Sequence, residues 1–186
     1  MKNSDKYNNC LRGCGFTLIE IILVVVILGI AALIAVPMVS SAADIQVRSA
    51  ANHIAADIDY VKSMAITHQQ SYSIIFDPAG ESYEVHVDPQ GTDTVIEHPV
   101  IPGDFVVSLS GIGLDRVNIV SADFDADVTK AITFDYLGSP YHGKSNDPAD
   151  ALNSGVISLS DIQSGNFGLY VKIEPMTGYV TIDDTP

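Results

Sequence analysis

Tryptophan is absent from the 186 residues, and the only two cysteines, Cys10 and Cys14, fall within the first fifteen. A chain with no cysteine beyond residue 14 has no disulfide to staple its folded part and no thiolate cage for a metal. The CLRGC pair itself has too few neighbouring ligands to close a site. Basic residues are scarce as well, with 9 Lys plus Arg against 23 Asp plus Glu. Lys2, Lys6 and Arg12 take three of those basic residues and Asp5 one of the acids, which leaves six against 22 beyond residue 15, a formal balance of −16. Such a surface repels nucleic acid and anionic lipid. Lys172 is the only basic side chain in the last forty residues, so a cationic stripe for phosphates is missing and nucleic acid is not an expected partner. No GxSxG, P-loop or pair of catalytic acids occurs, and His53, His68, His86, His98 and His142 show no HExxH spacing. Ser158-Leu159-Ser160-Asp161 reads as the end of a strand rather than as a nucleophile. Repeats and low-complexity tracts are also lacking. These absences lead us to expect a protein that is not an enzyme and carries no cofactor.

What the chain has in abundance is one apolar run. Ile21 to Val36, IILVVVILGIAALIAV, contains no polar side chain, and with its flanks the stretch 16–39 reaches the roughly 20 residues that cross a bilayer. A removed secretory signal has a shorter apolar core and is cut after it. Here the cleavable-looking glycine, Gly15, precedes the run. Lys2, Lys6 and Arg12 lie on the same side, so the positive-inside bias keeps the N-terminus cytoplasmic and sends the remainder across. The domains expected are a leader over 1–15, a transmembrane helix over 16–39, its amphipathic continuation over 40–70, and an exported β-rich domain over 71–186. Pro37 predicts a kink or local melting of the helix.

In 40–70, Ile54, Ile58, Val61 and Ala65 recur at helical spacing while Asp57, Asp59, Lys62 and His68 take other faces, the pattern of a helix lying on a core. After Gln70 the period switches to two. Tyr72, Ile74 and Phe76, the turn Asp77 to Gly80, and Tyr83, Val85 and Val87 predict a β-hairpin. Further strands are expected at 105–109, 117–120, 132–134, 156–159, 169–173 and 179–182, the last two flanking a turn over 175–178. About eight short strands after one long helix predict an α+β fold with antiparallel sheets packed on the helix's second half.

Glu20 stands at the head of the apolar run. At a bilayer centre a carboxylate costs about 2.5 to 3.5 kcal/mol on insertion scales, and less near the interface, so an ionisable group there asks for a function. The residues around it, Gly15-Phe16-Thr17-Leu18-Ile19-Glu20, resemble the cleavage and methylation signal of type IV pilins and pseudopilins. That resemblance implies cutting between Gly15 and Phe16 by prepilin peptidase and N-methylation of Phe16. It also implies assembly through Thr17 and Glu20, the glutamate pairing with a neighbouring subunit's terminal amine, because opposite charges in low dielectric attract strongly only when both are present. Gly29 and Pro37 resemble the glycine and proline that allow such helices to unwind locally. The location implied is the bacterial inner membrane, single-pass, with the globular domain periplasmic. The partners implied are other pilin or pseudopilin subunits, prepilin peptidase, an inner-membrane assembly platform, membrane lipid and the secreted substrate.

Arg48 to Ala65, the segment Ile132-Thr133-Phe134-Asp135 with Gly138, and Gly168 to Val171 followed by Pro175, Thr177, Gly178 and Val180 resemble the GspH/FimT-like minor pseudopilins. The implied role is a minor pseudopilin of a type II secretion system; a FimT-like minor pilin for pilus biogenesis or DNA uptake is the alternative. Asp123, Asp125 and Asp127 have the spacing that opens a calcium loop, but Val128 stands where its glycine belongs and no closing glutamate follows. They remain weak calcium candidates, as do Asp147 and Asp150; a solvated acidic loop is the favoured reading.

Overall fold

The computed structural model describes residues 16–162 and 168–185, and of residues 33–43 the backbone alone. The chain forms two compact units, Met1–Val39 and Ser40–Pro186. One helix, α1 (Leu18–His68), is assigned across the division. It continues through position 37, where the proline removes a single amide donor and the turns on either side keep theirs.

In the second unit the helix is a core element. Val47, Ala50, Ala51, Ile54, Ile58, Val61 and Ala65 are fully buried; apart from the adjacent Ala50 and Ala51 they follow one another at three or four residues, which places them on one face. The small alanines let the sheets approach closely. The helix ends in a tight C-terminal motif without glycine: Gln69 takes the left-handed conformation (φ 53°) and Gln70 N–H donates back to Ala65 O at 3.3 Å.

Two antiparallel sheets pack on that face, as the expected α+β architecture requires. The first holds β1 (Tyr72–Asp77), β2 (Ser82–Val87), β3 (Thr94–Val95), β4 (Val106–Ser108), β6 (Ala131–Phe134) and β7 (Pro140–His142), in the order β3-β2-β1-β6-β7, with β4 also on β2. The second holds β5 (Val117–Phe124), β8 (Gly155–Asp161), β9 (Gly168–Ile173) and β10 (Val180–Asp183), in the order β10-β9-β8-β5. The predicted hairpin has Phe76 opposite Tyr83. Ser158 to Asp161 closes β8 as expected. Strict alternation along β8 and β9 puts Ile157, Leu159, Leu169, Val171 and Ile173 inward. Phe76 joins the two sheets, its ring 5.4 Å from that of Tyr83 and 5.8 Å from that of Phe124.

The described residues contain ten strands where about eight were expected. The two that escaped prediction are β3, only two residues long, and β7, which opens on Pro140 at a sheet edge, where the missing amide costs no ladder bond. β5 is longer than the four residues expected, because a bulge at Val120 lets the strand run on past the break in its apolar alternation.

Two glycines pin the sheets to the helix. Gly138 (φ 81°) leaves a place where a Cβ would sit 2.9 Å from Ile66 Cδ1, and Gly178 (φ 58°) one where it would sit 2.9 Å from the Phe134 ring and 3.2 Å from Gly138 O. Lys62 then reaches across, its Nζ donating to Thr177 O at 2.6 Å. Asp135 holds the first of these turns by accepting from the amides of Leu137 (2.9 Å) and Ser139 (2.8 Å). The residue pattern that resembles minor pseudopilins in this region is therefore accounted for by turn geometry. We expect Gly178→Ala to destabilise the domain by about 2–4 kcal/mol, combining left-handed strain with overlap against a rigid ring and backbone. Gly138→Ala should cost less, because the tip of Ile66 can swing away. Urea unfolding checks this, and equal midpoints for Gly178→Ala and the parent chain would contradict it.

Candidate assembly site

The head of α1 is built by Thr17. Glu20 N–H donates to Thr17 O at 3.1 Å and to Thr17 Oγ1 at 3.3 Å, and Ile21 N–H donates to Thr17 O at 3.3 Å. Thr17 is thus the N-cap and Glu20 the third residue of the helix, the spacing of a capping box. An acid in the first turn also sits where the helix dipole favours negative charge. Glu20 therefore has a local reason to be acidic, which the sequence reading did not include, and the structure brings together two of the residues assigned to assembly. Gly15 lies outside the described residues, as does the side chain of Pro37.

Beyond this cap the surface is apolar on every side. Between Phe16 and Ile30, twelve large hydrophobic side chains are each at least 44% exposed, from Val24 at 44% to Leu18 at 78%. A helix that is apolar all round has the surface of one covered by a protein core, a membrane or neighbouring helices. A Cβ at Gly29 would meet nothing within 4 Å, so packing within the chain does not explain that glycine. Among the described residues no helix is long and apolar enough to cross a membrane. The described side chains of the predicted span stop at Ala32, short of the roughly 20 residues a bilayer needs.

The three aspartates considered for calcium do not converge. Asp123 Oδ1 accepts from Ala126 N–H (2.8 Å), Asp125 from the amides of Asn153 (2.7 Å) and Ser154 (2.8 Å), and Asp127 from Thr129 and His142. Asp123 and Asp127 each close their own turn, and Asp125 ties that loop, where Asp125 and Ala126 sit at positive φ, to residues 153–154. Burial raises Asp127, but the Thr129 hydroxyl and amide and His142 outweigh it and hold the carboxyl below its usual range. Asp147 caps the short turn Pro148–Asp150 through Ala149 N–H at 2.9 Å. No group of three metal-ligating side chains occurs among the described residues.

Two polar clusters in the second unit escaped sequence reading, because nothing in their spacing marks residues that meet only in the fold. On the outer face of the first sheet, Thr133, Ser73 and His86 form a buried polar row across β6, β1 and β2. His86 Nδ1 lies 2.9 Å from Asp93 Oδ1, and its Nε2 lies 2.9 Å from Glu84 Oε1 without hydrogen-bond alignment. Lys144 completes the set at 2.7 Å from Asp93 Oδ2. Against the helix, Tyr83 donates its hydroxyl to Asp57, with His53 Nδ1 3.1 Å from the same hydroxyl. Burial first, then the Asp57 carboxylate, push the Tyr83 phenol far above its ordinary value, so it stays a donor.

With this geometry in place, residues 12–36 match the family model described as the prokaryotic N-terminal methylation motif. The chain is type IV pilin-like in carrying that prepilin-type motif. No curated protein matches it. Among solved structures it is similar to two crystal forms of the Pseudomonas aeruginosa type IV minor pilin FimU. One shares 18% identity over 75% of this chain and 88% of that one, with a TM-score of 0.44; the other shares 17% over 75% and 92%, with a TM-score of 0.43.

Asp93 supplies a pH test of the outer-face cluster. The hydrogen bond from Lys144 is the chief cause that holds its carboxyl below the ordinary range, against a smaller effect of burial, with His86 assisting. A depressed folded value means stability present above the unfolded carboxylate range, near pH 4, and lost as pH falls through the folded value. Lys144→Met should raise the Asp93 titration midpoint and reduce that acid-linked loss. Carboxyl carbon shifts followed by NMR against pH measure it, and an unmoved midpoint would refute the pairing.

Proposed function

We propose that this chain is a structural minor subunit of a pilin-like filament, anchored in the inner membrane by residues 16–39 and assembled through the same helix. More narrowly, it is a minor pseudopilin of a type II secretion system. The observation that carries this reading is the sleeve of exposed apolar side chains over residues 16–30, with Glu20 at its head and the methylation motif across it. Covering a large aliphatic side chain fully gains roughly 1.5–3 kcal/mol. Lipid covers the sleeve before assembly and neighbouring helices cover it afterwards. Neither cover offers Glu20 a counter-charge unless a neighbour brings its freed amine.

Cleavage between Gly15 and Phe16 by prepilin peptidase creates that amine, and methylation of Phe16 follows. The secretion reading draws support from the acidity beyond residue 15, which disfavours the DNA-uptake role of a FimT-like minor pilin.

Intact mass of membrane-extracted protein tests the processing. The parent chain should lack residues 1–15 and carry one added methyl group, and Gly15→Ala should keep the leader with the periplasmic domain still folded by circular dichroism. A parent chain that begins at Met1 would overturn the proposal. Glu20→Ala should insert in the membrane as well as the parent does but copurify poorly with neighbouring subunits; undiminished copurification would remove the role given to the carboxylate.

A further inference from the structure

The rim of the first sheet has a feature the filament role does not use. β3 and β4 both pair with β2 on the side away from β1, so they are two halves of one edge strand interrupted by the loop 96–105. On either side of β4, Val85 N–H donates to Phe105 O and Leu109 N–H donates to Glu81 O, each at 3.0 Å. The odd-numbered residues therefore turn their backbone toward β2, and Val106 and Ser108 turn theirs outward; Val106 N–H is taken by Asp104 O (2.8 Å), while the Val106 carbonyl and the Ser108 amide and carbonyl face a side where no other described strand pairs.

Beside this open edge runs a groove of about 590 Å³, between the His53–Tyr60 flank of α1, the loop at His98–Ile101 and the short turn at Ile112. Its walls are mostly apolar, with Val100 82% exposed, Ile101 58% and Val106 52%. The loop that forms the outer wall is held in place. His98 Nδ1 accepts from Val100 N–H (3.1 Å) and Ile101 N–H (3.0 Å), and its ring lies 4.5 Å from that of Phe105. Carboxylates flank the edge on both faces, Asp57 and Asp104 on the helix side, Glu84 and Asp77 on the other, and among the described residues no Lys or Arg lines either hollow.

We propose that the β4 edge receives an extended segment of a partner protein as an added strand, one whose side chains alternate between apolar and basic. An open ladder supplies backbone hydrogen bonds, and hollows beside it select the side chains that alternate along the incoming strand. The acids on both faces set the charge of that segment, and the apolar walls set its other residues. The site lies wholly in the second unit, so it stands or falls separately from processing and filament assembly.

The test uses the full chain in neutral detergent and a fluorescent octapeptide of alternating lysine and valine, read by anisotropy. The parent chain should bind this peptide at least tenfold more tightly than the alternating glutamate–valine peptide. It should also bind it at least tenfold more tightly than the lysine–valine peptide with every amide N-methylated, which keeps the charge and loses the ladder donors. Asp104→Lys and Ile101→Asp should each weaken binding at least tenfold. Glu174→Lys, which changes the net charge equally but lies beyond β9, should leave it within about twofold. No binding of the lysine–valine peptide overturns the proposal. So does equal binding of the N-methylated peptide, or an equal loss in Glu174→Lys, since either result reduces the contact to diffuse charge attraction. Unchanged circular dichroism in each variant separates a lost site from a lost fold.

Discussion

An apolar helix surface that the described residues leave uncovered is the constraint on which the rest depends. Residues 16–30 expose hydrocarbon around the whole circumference, a state that water does not tolerate at that length. Every function assigned to the N-terminal segment follows from the need to find an apolar environment. Glu20 complicates that need, because the environment that suits its neighbours penalises its charge. The Thr17 cap and the helix dipole offset part of the penalty from within the chain. In the assembly proposed above, a freed amine on an adjoining subunit supplies the remainder.

The same helix meets the opposite conditions in the second unit. There Val47 to Ala65 present one buried face to two sheets, and the exposed faces carry Arg48, Asp59 and Ser63. Its core is closed by short-range devices: the left-handed Gln69 at the helix end, the Asp135 turn, and the Gly138 and Gly178 contacts bound by Lys62. A domain completed in this way has its core within the second unit, which suits the proposed passage of the subunit from lipid into a filament.

Much of this was legible in the residues, for identifiable reasons. Ile54, Ile58, Val61 and Ala65 announce their face because helical spacing and burial coincide. The hairpin at 72–87 follows from alternation broken by an Asp-Pro turn. β7 was hidden by its proline and β3 by its length. The outer polar row of Thr133, Ser73 and His86 was invisible because it breaks the inside-apolar rule: loops 88–93 and 143–147 cover that face, and nothing local marks the coverage. Glu20 was legible as an anomaly in an apolar run, while its partnership with the Thr17 cap needed the backbone geometry.

The absence of cysteine beyond residue 14 makes the central claim directly measurable. A single cysteine placed at Leu23 or Ile27, both exposed on the described helix, would report what lies against it in native membranes under mild oxidation. Given a second subunit with a cysteine at the matching helical height, a helix covered by its neighbours is expected to form intersubunit disulfides at both positions, and to lose them when Glu20 is replaced by alanine. A chain that stays monomeric at both positions, with the second unit folded and the assembly machinery present, would contradict the claim that other subunits cover this surface.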